Sequence, residues 1–521
     1  MRVPIVGLAR FSVGVSSPIN RQIRVNSPRS TTGPDDSVVP HAPEATTIGK
    51  LLAPHVADAH GRSGARLLID GLDAFALHAV TARAAEQSID SQYYIWRNDA
   101  TGIFIAHELL LAADRGVKVR LLLDDMDARP RDDMLMALDR HENIDIRLFN
   151  PFRTRRGWLR TLRELLSRAS RLNHRMHNKS WLVDDQLAIV GGRNIGDEYF
   201  AASEAVNFVD VDVALIGPAV DATRTIFEEY WTSETAKPIG SLRRTGRNRL
   251  SLADVRRLYE ETSSALSESP YARRVEASGR LEALMHGDLP FQWSEVDVVA
   301  DDPRKALRRK TAGPGVLESL NAAIDRATNE VLLISSYFVP GVGGTVALRA
   351  LTRRGAVVAV LTNSLAATDV AAVHSGYSRY RQALLEGGIR LFELKPTATG
   401  RDRDRLRLGS SRASLHTKAV IVDGEVIFVG SFNLDPRSAE LNCEMGVWIR
   451  SKPLTEQLRA SYNDAVGPEK SFEATLDPKG RLSWIEVVDG LTIRHGRDPR
   501  ASLGRRLITR VLGWLPIESQ L

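Results

Sequence analysis

Apolar positions run unbroken from Ala419 to Val422 and again from Val426 to Val429, with only Asp423, Gly424 and Glu425 between them. Two short apolar runs joined through Asp-Gly predict a buried hairpin closed by a tight turn. Side chains two apart on a strand share a face, so His416 and Lys418, at the head of the first run, project into one volume. Elsewhere the apolar period switches between that of a strand and that of a helix. RLLIDGLDAFALHAVTARAAEQ predicts a short strand and a helix, and SIDSQYYIW a β-rich run. HELLLAADRGVKVRLLLDDMD predicts an amphipathic helix, a stop at Gly116 and a buried strand ending at Asp124 and Asp125. Such alternation predicts an α/β fold with a mixed, mostly parallel sheet flanked by helices.

The order of elements occurs twice. NHRMHNKSWLVDDQLAIVGGRNIGD anticipates SLHTKAVIVDGEVIFVGSFNLDPRS at an offset of 239 residues. That offset places His177 on His416, Lys179 on Lys418, Asp184 on Asp423, Gly191 on Gly430 and Asn194 on Asn433, and further upstream Gly116 on Gly355. EVLLISSYFVP stands for SIDSQYYIW, ALTRRGAVVAVLTNS for LAADRGVKVRLLLDD, and GIRLFELKP for NIDIRLFNPF. An internal duplication accounts for this, and predicts two pseudo-symmetric lobes whose motif loops share one central cleft. The expected divisions are a flexible tail over 1–53, lobes over 54–236 and 290–470, a connector over 237–289 and a C-terminal extension over 471–521.

Two imidazole–ammonium pairs suit a phosphodiester. An imidazole with a pKa of roughly 6.5 attacks phosphorus when neutral and protonates a leaving oxygen when charged. Lysine and asparagine donate to the non-bridging oxygens as charge builds, which is worth roughly 3 kcal/mol per well-placed donor. The scheme requires no metal and no cofactor.

Composition narrows the partner. A net charge of +6 and 43% hydrophobic residues over 521 positions describe a globular chain drawn to anions, nucleic acid or a phospholipid surface. Basic runs precede each histidine motif, RTRRGWLRTLRELLSRASRLNHR with an apolar stripe from Trp158 to Leu166, and GRDRDRLRLGSSR. Beside a phosphate-directed site they read as electrostatic capture; aromatic residues are too sparse among them for a base-stacking platform. The single cysteine, Cys443, excludes an intrachain disulfide. The N-terminal segment is interrupted by Arg10 and lacks a small-residue cleavage site, a poor signal peptide. No stretch reaches the roughly 18 apolar residues of a spanning helix. ASLGRRLITRVLGWLPIESQL spaces Leu503, Leu507, Val511 and Trp514 along one helical face with Arg505, Arg506 and Arg510 on others, a pattern shared by interfacial helices and by terminal helices docked on a core.

The paired H-x-K-x(4)-D signatures, each followed by G-[GS]-x-N, resemble those of the phospholipase D superfamily. Within it, RGVKVRLLLDD, GGRNIGDEYF, LTNSLAATDVAAVHSGYSRYR and the terminal LPIESQL resemble bacterial cardiolipin synthases, from about Ile69 to Leu521. The resemblance implies a catalytic set of His177, Lys179, Asp184, His416, Lys418 and Asp423, although both aspartates sit at hairpin turns and can serve structure. It implies phosphate binding by Asn194, Asn433 and Ser431, with Gly192 in place of a second serine. Glu444 is implied as the histidine-orienting carboxylate, and Asp210 as its first-half counterpart. It further implies that His177 attacks the phosphorus of a phosphatidyl donor, phosphatidylglycerol or phosphatidylethanolamine, while His416 serves as acid and base, the two roles being exchangeable by symmetry. The expected product is cardiolipin, made by a protein peripheral to the bacterial inner (cytoplasmic) membrane. No nucleic-acid partner is expected and no protein partner is inferable. A hydrolytic phospholipase D uses the same residues with water as acceptor. A superfamily nuclease and a non-catalytic membrane-binding protein are the remaining readings.

Overall fold

Asp184 and Asp185 in one copy, and Asp423 and Gly424 in the other, all take positive φ (52°, 56°, 51° and 71°). Consecutive left-handed residues are what a type I′ turn demands, and Gln186 N–H and Glu425 N–H close the two turns on the Val183 and Val422 carbonyls at 2.9 and 3.1 Å, so both expected hairpins form. In this computed structural model the described residues are 46–57, 59–152, 172–242, 250–277, 290–309, 313–396 and 413–514. Most of the expected tail and both basic runs before the histidine motifs, with the Trp158–Leu166 stripe, lie outside the described residues.

The first half contributes β1 (Ser63–Leu68), β2 (Ser88–Tyr93), β3 (Lys118–Asp124), β4 (Ile144–Phe149), β5 (Ser180–Val183), β6 (Leu187–Gly191), β7 (Asn207–Val209), β8 (Asp212–Ile216) and β9 (Ala236–Pro238). The second contributes β10 (Gln292–Ala300), β11 (Glu330–Ser335), β12 (Val357–Asn363), β13 (Arg390–Leu394), β14 (Ala413–Leu415), β15 (Lys418–Val422), β16 (Val426–Gly430) and β17 (Met445–Arg450). Three more, β18 (Ser471–Leu476), β19 (Leu482–Val488) and β20 (Leu491–His495), follow. Pairing runs β4-β3-β2-β5-β6-β8 in one half and β13-β12-β11-β15-β16-β17 in the other. β1 pairs with β8 and with β10, and β10 with β17, which joins the halves into one 18-stranded mixed sheet.

The parallel share of this sheet is smaller than expected. Among the described residues, parallel ladders are confined to β2-β3-β4, β11-β12-β13 and the short β7–β14 pair. The motif hairpins are antiparallel within themselves and also dock antiparallel, β5 on β2 and β15 on β11. A buried hairpin strand reads from its apolar run much like a parallel core strand, which explains the difference.

Alternation along the strands separates two cores. Trp181 and Val183 of β5 face an outer cluster with helices Gly71–Ala84 and Ala100–Asp114, whereas Leu182 faces inward. Ile427 and Val429 face inward in the second half, and Phe428 faces an outer cluster with helices Val316–Arg326 and Gly341–Arg353. The inner cluster draws on both halves and takes in helices Pro218–Trp231 and Lys452–Ala465, so helices cover the strands on the inner side as well as the outer.

Three segments fall differently from the expected divisions. Helix Thr47–Ala57 begins within the expected tail and buries Ile48 and Leu52. Helix Leu252–Ser267 of the connector puts Val255, Tyr259 and Leu266 into the first half's outer core. β18 pairs antiparallel with β13 and carries β19 and β20, so the C-terminal extension continues the second sheet.

Candidate functional site

Each histidine segment is clamped by the other half. His177 N–H donates to the Cys443 carbonyl at 2.8 Å, and Cys443 N–H to the Arg175 carbonyl at 2.8 Å. In the mirror arrangement β14 pairs parallel with β7, and His416 N–H donates to the Val209 carbonyl at 2.9 Å. The residue after Cys443 is Glu444, and the residue after Val209 is Asp210. Each carboxylate therefore reaches the imidazole of the opposite half: Glu444 Oε2 lies 2.8 Å from His177 Nδ1, and Asp210 Oδ2 lies 2.6 Å from His416 Nδ1. Neither half holds a complete site by itself.

The strands also fix the histidines from below. Met176 N–H donates to the Asp124 carboxylate at 3.0 Å, and Leu415 N–H to the Asn363 side-chain carbonyl at 3.0 Å. Asp124 and Asn363, at the ends of β3 and β12, obey the 239-residue offset. Sequence reasoning passed over this pair, although a polar residue closing a buried strand in both copies was the signal for it. The Tyr94 ring meets His177 edge-on at 5.0 Å, and the Tyr199 and Phe208 rings each lie 5.2 Å from His416. These rings bury the imidazoles and limit their rotation.

Electrostatics follow from burial. A carboxylate only accepts hydrogen bonds, so a neutral ring beside it carries its proton on Nδ1 and leaves the Nε2 lone pair bare. Burial, aided by the Lys179 charge, lowers the His177 pKa to about 4 against the opposing pull of Glu444. Burial and the Lys418 charge lower His416 to about 4 as well. Lys179 falls to about 7 through burial and the nearby Lys418, and Lys418 to about 8 chiefly through burial. Each histidine thus feels the charge of both lysines. Burial alone would raise Asp210, but the charge and hydrogen bond of His416 and the Lys418 ammonium outweigh it and hold the acid at about 2. Glu444 is held below the usual range on the same grounds, by His177, Lys179 and Ser431.

An anion entering the site favours the charged form of every cation around it. At pH 8 the empty site has neutral imidazoles and a largely neutral Lys179, so sulfate binding is expected to take up protons. Titration calorimetry at pH 8 in two buffers of different ionisation enthalpy measures this; zero uptake or release would show that the phosphate site lies elsewhere.

The expected phosphate ligands divide. Lys179 Nζ donates to the His177 carbonyl at 2.5 Å, and Lys418 Nζ contacts the His416 carbonyl and lies 2.9 Å from its Nδ1. The Asn194 amide accepts from Ile95 N–H at 3.1 Å and donates to the Tyr199 hydroxyl at 2.9 Å, and Asn433 Oδ1 accepts from the Ser336 hydroxyl at 2.9 Å. Ser431 departs from the expected role. Its hydroxyl donates to Glu444 Oε2 and accepts from Met445 N–H at 3.0 Å, so it holds the orienting carboxylate in place of a phosphate oxygen. Gly192, its counterpart, has no room for a side chain, because a Cβ there would meet Asp210 Oδ1 at 2.3 Å. Asp210 packs directly on the glycine and receives Val211 N–H at 2.9 Å, which leaves it no need of a serine.

Asp184 and Asp423 lie at the far ends of the motif strands, away from the imidazoles. Asp184 accepts from the N–H groups of Glu86, Gln87 and Ser88 at 2.8–3.2 Å. Asp423 accepts from those of Thr328, Asn329 and Glu330 at 2.7–3.2 Å. Both pin the entry to the first parallel strand of their half. Asp184→Ala is expected to destabilise the fold by about 3 kcal/mol, since three backbone donors at the rim of the core lose a buried charged acceptor, while catalytic activity per folded molecule persists. Urea unfolding alongside an activity assay tests this; a fully stable, inactive variant would return Asp184 to the chemistry.

Among the described residues no cluster of three or more histidine, cysteine or acidic side chains is arranged to hold a metal ion.

The family model described as cardiolipin synthase, phospholipase D-like domain, matches residues 80–231 and again 320–465, one match for each half. Cardiolipin synthase C of Escherichia coli is 39% identical over 462 residues, covering 88% of this chain and 96% of that protein. A cardiolipin synthase of Staphylococcus aureus is 23% identical over 430 residues, covering 82% and 72%. The crystal structure of phosphatidylserine synthase from Haemophilus influenzae superposes with a TM-score of 0.56 at 13% identity, over 91% of this chain and 100% of that one, a likeness of fold. Matched across both halves and along nearly the whole of a relative at this identity, the chain belongs to the cardiolipin synthase family of phospholipase D-like proteins and is an enzyme of the phospholipase D superfamily.

Proposed function

We propose that this enzyme transfers a phosphatidyl group from a phospholipid donor to phosphatidylglycerol, forming cardiolipin through a phosphatidyl-histidine intermediate, at the surface of the bacterial inner membrane. The observation that carries the reading is the crossed wiring: two buried imidazoles are each oriented by a carboxylate of the opposite half, and each feels the charge of both motif lysines.

His177 is the nucleophile. Two acceptors, Glu444 Oε2 at 2.8 Å and the Ser431 carbonyl at 3.0 Å, draw its proton to Nδ1 and leave Nε2 basic. Nε2 attacks phosphorus, the phosphorus–oxygen bond to the head group breaks, and His416 as imidazolium gives its Nε2 proton to the departing oxygen. With phosphatidylglycerol as donor the product released is glycerol. Lys418, set against His416, lowers the cost of giving up that proton. The arriving phosphate anion supplies the opposite pull and charges His416 in the loaded site. In the second step neutral His416 takes the proton from a glycerol hydroxyl of phosphatidylglycerol, that oxygen attacks phosphorus, and the phosphorus–nitrogen bond breaks. The acid and base roles of His416 balance over the cycle. Lys179, Lys418, Asn194 and Asn433 stabilise the charge that builds on the non-bridging oxygens.

Purified protein incubated with head-group-labelled phosphatidylglycerol is expected to yield cardiolipin and free glycerol in equal amounts. Phosphatidic acid without cardiolipin would replace transfer by hydrolysis. Phosphatidylethanolamine added with phosphatidylglycerol identifies the donor, through release of ethanolamine in place of glycerol.

A further inference from the structure

Helix Leu503–Leu512 is turned inside out for a helix packed on a protein in water. Leu503, Leu507, Ile508, Val511 and the following Trp514 are exposed, Leu503 at 76% and Trp514 at 79%, whereas the only buried residue of the helix is Thr509. The face that packs is the basic one. Arg505 donates to the carbonyls of Ala366, at 2.9 Å, and Thr368, Arg506 donates to the carbonyl of Asp498 at 2.8 Å, and Arg379 reaches the Gly513 carbonyl. These bonds fix the roll of the helix, so its apolar stripe cannot turn inward without breaking them. An amphipathic helix in water normally buries that stripe.

The helix is also placed with respect to the site. Arg505 grips the loop between β12 and helix Ala371–Ser378. That loop begins immediately after Asn363, whose side chain holds Leu415 next to His416. It ends at Val370, which adds an exposed apolar residue beside the helix.

We propose that this outward stripe, Leu503, Leu507, Ile508, Val511 and Trp514, is the surface on which the enzyme docks into an anionic phospholipid interface. The helix lies in the plane of the head groups with its apolar side chains among the acyl chains, and the 364–370 loop brings the His416 side of the cleft to the lipid phosphates. Charge selects this occupant: Arg510, exposed at the edge of the stripe, and a chain of net charge +6 favour an anionic surface. The link to the cleft rests on the transfer reading above; the docking surface itself does not.

The full chain and a Leu507→Glu, Trp514→Glu double variant, both exposed positions that leave the core intact, are compared by sedimentation with vesicles of phosphatidylcholine and phosphatidylglycerol. The variant is expected to bind at least about tenfold more weakly and to lose turnover of vesicle lipid. Its turnover of monomeric short-chain phosphatidylglycerol stays unchanged. Leu507→Cys carrying an environment-sensitive fluorophore shifts to the blue on vesicle addition, while the same label at Leu258→Cys on the first half does not; native Cys443 is buried and remains unlabelled. Equal vesicle affinity of the double variant and the parent overturns the proposal. So does a blue shift at both labels, which marks general adsorption, or a dimer of the parent that the double variant dissolves with no change in vesicle binding, which gives the stripe to a second copy. Loss of vesicle binding by the variant with no lipid turnover by the parent removes the transfer reading and leaves the docking surface standing.

Discussion

His177→Ala is expected to lower phosphatidyl transfer by about 10⁴-fold or more, roughly 5.5 kcal/mol of barrier, because the bond that splits the reaction into two displacements can no longer form. His416→Ala is expected to reduce transfer similarly with natural donors, where an alkoxide must leave without a proton. The two variants separate when the donor carries p-nitrophenol as head group, whose anion departs unaided. His416→Ala then retains a stoichiometric burst of p-nitrophenol as the phosphatidyl-enzyme forms, and His177→Ala gives none. A burst from His177→Ala and none from His416→Ala would exchange the two roles. Bursts from both variants would mean that neither imidazole attacks phosphorus. The distinction rests on surroundings that symmetry alone does not provide: His177 Nδ1 faces two acceptors, whereas His416 Nδ1 faces Asp210 on one side and the Lys418 ammonium on the other.

The repeat made much of this site legible in the amino-acid sequence. A fixed offset of 239 marks residues that do the same work in both halves, and it holds for His177 and His416, for Asn194 and Asn433, and for the overlooked Asp124 and Asn363. It cannot show that the halves exchange carboxylates, since Glu444 and Asp210 reach across the pseudo-symmetry axis to the histidine 267 and 206 positions away in the chain. It also fails where the halves solve one problem differently. The first half has 16 residues from Asn194 to its carboxylate and the second has 11 from Asn433. The longer loop carries Tyr199, Phe208 and β7, which bury His416 and pair with β14. Ser431 and Gly192 read as a donor kept and a donor lost. In the fold they are two ways of seating a carboxylate, one by a hydroxyl and the other by the absence of a Cβ. β18 to β20 read as an appendage because a strand's partner is not encoded in its own alternation. The inverted C-terminal helix had to await its arginine contacts, since the same stripe serves equally for a docked helix or an interfacial one.

Asp210→Asn is expected to lower transfer by about 10²- to 10⁴-fold, although Asp210 belongs to the half that does not contain His416. The native carboxylate accepts at 2.6 Å and compels the neutral His416 ring to carry its proton on Nδ1. An asparagine amide presents a donor there as readily as an acceptor, and a donor reverses the tautomer, so that Nε2 holds the proton when it must take one from the acceptor hydroxyl. The imidazolium of the first step also loses its counter-charge, so the basic limb of the pH–rate profile for the first displacement, where the acid is lost, should move to lower pH as His416 becomes harder to charge. Gly192→Ala reaches the same end without touching a titratable group, because its Cβ would stand 2.3 Å from Asp210 Oδ1 and push the carboxylate off the histidine. Equal defects with p-nitrophenol and natural donors in the burst phase would assign Asp210 to the nucleophile's side. A defect confined to natural donors and to the second displacement places it with His416. Glu444→Gln should show the complementary pattern, a slowed burst with every donor, because the ring it orients is His177. Matching defects in both variants would mean that the carboxylates act through the fold they share, and the crossing would then carry no chemistry.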